Sequence, residues 1–96
     1  MVTEKILRYA AYQKGFRSVE TDYYLFKCLL QKWLRDSFDI QICIIRHIKV
    51  LGNERTNYYQ WQFISDETQN TEYLIQYDSY ENALANILYI KLNNLK

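Results

Sequence analysis

The stretch CLLQKWLRDSFDIQICII, residues 28–45, changes its hydrophobic period halfway along. Up to Leu34 the apolar residues keep helical spacing: Phe26, Leu29, Leu30, Trp33 and Leu34 stand at i, i+3, i+4, i+7 and i+8, which is one buried stripe. From Ile40 the period drops to two. Ile40, Ile42, Ile44, Ile48 and Val50 share one face, and Gln41, Cys43, Ile45, His47 and Lys49 share the other, as in a strand with one buried side. The stretch therefore encodes a helix-to-strand corner. Trp33 reads as a core anchor, and Lys32 and Arg35 as the solvated edge of the helix rather than a ligand site.

Outward from this corner the elements follow from local signals. Thr21 is a cap for the helix, which runs to about Ser37 and sets Lys27, Gln31, Lys32, Arg35 and Asp36 mainly on its outer surface. Upstream, Thr3 caps a shorter helix with Ile6, Leu7, Ala10 and Ala11 on one face and Gly15 as its left-handed stop. Downstream, Gly52-Asn53 is a type II′ hairpin turn, YYQWQFI (58–64) a second strand, and EYLIQYD (72–78) a third. Asp78 and Glu81 have capping-box spacing before a last helix carrying Ala83, Leu84, Ile87, Leu88, Leu92 and Leu95. The expectation is an α+β fold in the order helix, helix, three-stranded antiparallel meander, helix, with the helices packed on the sheet. Arg46 interrupts the buried series of the first strand. The turn sets it opposite Tyr59 and diagonal to Trp61, where its guanidinium either lies over the aromatic rings or snorkels to solvent at the sheet margin.

Ninety-six residues, 49% of them apolar, support one core and one domain, 1–96. With no proline and only two glycines there is no linker and no glycine-rich phosphate loop. The N-terminal MVTEKILRYAAYQK has no signal-like apolar run and no stretch reaches bilayer length, so a cytoplasmic protein without membrane contact is expected. Cys28 and Cys43 lack metal or redox spacing and read as reduced structural thiols. Net charge is +1, but residues 1–57 hold ten Lys/Arg against six Asp/Glu, and residues 58–96 two against five.

Catalytic chemistry finds little foothold. His47 is the one histidine, with no nucleophile at a recognisable spacing. Cys43 and His47 share a strand face but lie about 13 Å apart along an extended chain, too far for one metal ion. No catalytic group, metal or cofactor is expected. From residue 21 onward the order helix, three strands, helix is that of a double-stranded RNA-binding domain. That family grips phosphate with lysines at its final helix, however, and this one begins DSYENALAN.

A-x-x-K-G-F at residues 11–16, LLQKWLRDSFDIQI at 29–42 and YDSYENALANILYIKL at 77–92 together resemble a set of small, uncharacterised proteins encoded by Bacteroidetes and their phages. The chain departs from that set where VETDYYLFK (19–27) stands in place of a proline-containing entry. The resemblance implies provenance and no activity.

Two functional expectations follow. The first is a non-enzymatic interaction protein, an accessory factor of a phage or mobile element, acting through a protein-binding surface. Cys43, Ile45, Ile64 and Leu74 fall on the sheet face assigned to the outside, a cluster too apolar for open solvent. Either a helix crosses to cover that face, or a partner protein or a second copy of the chain does. The alternative is a small nucleic-acid-associated domain of αβββα order, using a basic surface of Lys32, Arg35, His47, Lys49 and Arg55.

Overall fold

The computed structural model describes residues 2–62 and 76–95, without the side chains of Trp61 and Gln62. Five elements follow in order: α1 (Glu4–Gln13), α2 (Tyr23–Phe38), β1 (Cys43–Leu51), β2 (Glu54–Gln62) and α3 (Tyr80–Asn93). Among the described residues no helix is long and apolar enough to cross a membrane.

Helix ends obey the capping rules, sometimes one residue from where the sequence suggests. Thr3 caps α1, its hydroxyl accepting from the Ile6 amide at 3.3 Å. The helix stops in a Schellman arrangement: Gly15, at φ 101°, donates to the Tyr12 carbonyl and Phe16 donates to that of Ala11. Asp22, not Thr21, caps α2 by accepting from Leu25 at 3.0 Å. Likewise Ser79, not Asp78, caps α3, its hydroxyl accepting from the Asn82 amide at 3.1 Å, while Asp78 accepts from the Asn82 side chain. Ser79→Ala should therefore cost about 1 kcal/mol of stability, and Asp78→Ala distinctly less. Urea melts of the two variants check the assignment.

The core is a three-helix cluster with α3 at its centre. Apolar residues lie all round α3, and Ala83, Leu84, Ala85, Ile87, Leu88 and Leu92 are buried because α1, α2 and the hairpin surround it. Leu7 and Ala11 of α1 and Phe26, Leu30 and Leu34 of α2 complete the cluster. Among the described residues the sheet adds the half-buried Ile44, with Ile40, Ile42 and Tyr77 beside it. The helices thus pack chiefly on one another and not, as expected, on a broad sheet.

The three-stranded meander is not what forms. Among the described residues the sheet has two strands, β1 antiparallel to β2, and the αβββα order shared with RNA-binding domains goes with the third. Of the expected strand 72–78, residues 72–75 lie outside the described residues. Tyr77 makes one bridge to Tyr59, each amide donating to the other's carbonyl at 2.8 Å. On the C-terminal side of Tyr77 the ladder goes no further, because Ser79 already turns the chain into α3.

On α2 the buried stripe is rotated from its expected position. Lys27, assigned to the surface, is 3% exposed, and Leu29, assigned to the core, is exposed. The line Phe26, Lys27, Leu30, Leu34 faces the core. Trp33 instead meets Phe16 (5.3 Å between ring centroids) and Phe38 (5.0 Å) along the helix flank. Arg8 fastens the α1–α2 connection: its guanidinium donates to Glu4 and to the Glu20 and Thr21 carbonyls, and lies 4.4 Å over the Phe26 ring.

Candidate interaction surface

Gly52 and Asn53 close the hairpin between the paired Leu51 and Glu54. Gly52 has φ 61° and Asn53 a negative φ, the signs of a type II′ turn, whose twist matches that of the strands. Every residue from Ile48 to Asn57 is exposed, so the distal half of the hairpin stands clear of the helices. Ile48, Val50 and Leu51 are 50%, 59% and 65% exposed.

The register assigns side chains to faces. Ile44, Arg46, Ile48 and Val50 share the face that begins at the helical core, and Cys43, Ile45, His47, Lys49 and Leu51 share the other. On this second face Cys43 is half-buried and Ile45 is 36% exposed. Ile64 and Leu74, the other members of the expected apolar cluster, lie outside the described residues. His47 stacks on its cross-strand partner Tyr58 at 5.0 Å and 10° between ring planes. Arg46 stands opposite Tyr59 as expected, yet it is exposed. The cation–ring contacts of the described residues are Arg8 over Phe26, Arg17 over Tyr12 and Lys27 over Tyr23.

The candidate basic surface is divided between elements. His47 and Lys49 occupy one hairpin face, whereas Arg55, paired with Val50, occupies the other. Lys32 and Arg35 lie on α2 and share Asp36, at 2.6 and 3.6 Å. The Lys32 hydrogen bond holds the Asp36 carboxyl below its usual pKa. Part of this basic charge is therefore already neutralised.

Cys28 and Cys43 are free, half-buried thiols. Both lie close enough to Tyr80 that, with burial as the largest cause and Glu81 adding to it, its hydroxyl pKa is raised. Among the described residues no three His, Cys, Asp or Glu side chains are grouped to hold a metal. A groove of about 490 Å³ between α1 and α3 is lined by Ile6, Tyr9, Ala10, Tyr89, Lys5 and Lys14.

Sequence reasoning missed one further polar pair. The Lys27 ammonium sits 4.4 Å over the Tyr23 ring, and the Tyr23 hydroxyl is buried with no hydrogen-bond partner among the described residues. Burial, then the charge of Glu4, raises the Tyr23 pKa, against a lowering by Arg8. Tyr23→Phe keeps the ring under Lys27 and removes an unsatisfied hydroxyl, so it should stabilise the fold by about 1 kcal/mol. Because the folded-state pKa is the higher one, the neutral hydroxyl's contribution holds below about pH 10 and is lost as pH rises through the raised value. The variant should therefore lose less stability than the wild type on the alkaline side. Thermal melts between pH 8 and 11 test this.

Comparison of the chain with protein-family models, curated proteins and solved structures finds no match.

Proposed function

We propose that this protein is a non-enzymatic interaction domain that engages a partner protein through its β-hairpin. The observation that carries the reading is the exposure of the hairpin from Ile48 to Asn57, with the apolar Ile48, Val50 and Leu51 in the open while the helices close the core without them. Leaving such side chains in water forgoes the burial free energy of each, roughly 1.5–3 kcal/mol for a Val, Leu or Ile, and an interface recovers it. An accessory role in a phage or mobile element is consistent with the resemblance to small proteins of Bacteroidetes and their phages, which bears on provenance alone.

The experiment is affinity purification with the wild type and with Ile48→Glu/Val50→Glu. The two sites are solvent-exposed, so helicity and melting midpoint should not change. Proteins retained by the wild type and lost by the variant would support the reading. A retained set identical for both would refute it. A homodimer is the simplest specific form, through the face bearing Cys43 and Ile45. Sedimentation of the wild type and of Ile45→Lys tests it: a dimer that the substitution dissociates without unfolding supports it, and a monomer at high concentration removes it.

A further inference from the structure

The outer edge of the hairpin, which no described strand meets, can be assigned atom by atom. Tyr59 exchanges both its backbone hydrogen bonds with Tyr77, so its N–H and C=O point away from β1. Arg46, its partner on β1, must then be a non-hydrogen-bonded pair member whose own N–H and C=O point away from β2. Alternation extends this to Ile48 and Val50, while His47, Lys49 and Leu51 bond inward to Tyr58, Thr56 and Glu54. The outward groups of Arg46, Ile48 and Val50 form an edge that pairs with no other strand among the described residues.

We infer that this edge of β1, from Arg46 to Leu51, takes up an extended acidic peptide segment of a partner protein as an added antiparallel strand; the inference rests on the interaction reading above and names its partner chemistry. Charge complementarity decides the occupant. β1, CIIRHIKVL, carries Arg46, His47 and Lys49 and no carboxylate, and the whole hairpin (43–62) has Arg46, Lys49 and Arg55 against Glu54 alone. A second copy of β1 at this edge would set these cations against one another, and like charges facing across a ladder are destabilising. A partner strand with carboxylates beside Arg46 on one face and Lys49 on the other, and apolar residues beside Ile48, Val50 and Leu51, matches both faces. Such a strand satisfies the open backbone groups and covers the exposed apolar side chains in a single step. Nucleic acid is less suited, because it forms no backbone ladder with an edge and gains little from isoleucine and valine.

The probe is the fluorescein-labelled peptide Leu-Val-Glu-Ile-Thr-Glu, blocked at both ends, whose order places its residues antiparallel against Leu51 through Arg46; binding is read by anisotropy. Saturable binding is expected, weakened about tenfold by Arg46→Glu/Lys49→Glu and lost when lysines replace the two glutamates. N-methylation of the peptide at Val, Ile and the last Glu, whose amides face the edge, should abolish binding, whereas N-methylation at Leu, the first Glu and Thr should not. Ile48→Pro removes an outward N–H without touching the β1–β2 ladder, and should lose peptide at unchanged helicity. Equal binding of acidic and basic peptides, indifference to which amides are methylated, or no binding at all would overturn the inference. So would binding of a thymidine dodecamer alone, falling steeply with salt, which would point to nucleic acid instead. If Ile48→Glu/Val50→Glu strips bound proteins while the peptide fails to bind, the interaction reading stands and strand addition falls. If neither effect appears, both fall.

Discussion

Leu88→Ala should lower the stability of the protein by about 3–4 kcal/mol, the middle of the range for a leucine truncated in a closed core. Leu88 is 0% exposed and lies on the helix that touches α1, α2 and both strands, so no single neighbour can move in to fill the space without leaving another. Small domains have total stabilities of roughly 5–15 kcal/mol, so the loss is a large fraction of the whole. In urea the midpoint should fall steeply with an unchanged slope. A change under 1 kcal/mol would mean that α3 is not the centre of the core.

Lys27→Glu is the second large effect, with an expected cost of about 3 kcal/mol. Lys27 runs its aliphatic stem along the core line of α2 and sets its ammonium over the Tyr23 ring. A carboxylate there would be desolvated to a similar extent and would face the negative side of the ring quadrupole. Lys27→Met keeps the stem and removes the charge. It should be neutral or stabilising by up to about 1 kcal/mol, since an ammonium is costly to bury and the ring contact returns only part of that cost. The contrast is what tests the placement: a Lys27 on the surface would leave all three proteins equally stable in thermal melts.

These two sites also separate what was legible in the chain from what was not. Caps, turns and periods act over three or four residues, so the sequence alone reveals them. Thr3 and Gly15 bound α1, the period changes between α2 and β1, and Gly52-Asn53 sets the register that brings Arg46 opposite Tyr59. Short-range chemistry is less decisive between adjacent candidates, which is how Asp22 and Ser79 hold the positions read for Thr21 and Asp78. Ser79 prevails because Tyr77 is held by its bridge to Tyr59, leaving the next turn to begin the helix.

The assembly of elements was not legible in the same way. On α2, neighbouring lines of side chains at Lys27 and Leu29 both include enough apolar residues for a buried stripe. Only the positions of α3 and the Phe16 segment determine that Lys27 goes in and Leu29 stays out. The pattern of α3 was recognised as helical, but its place at the centre depends on α1, whose Leu7 and Ala11 complete the core. Of the alternating run 72–78, the described residues 76–78 meet β2 through Tyr77, and the turn at Ser79 into α3 leaves no length on that side for a longer ladder. The edge of β1 depends on the same long-range geometry: alternation says which side chains share a face, whereas which backbone groups no described strand meets depends on what lies alongside.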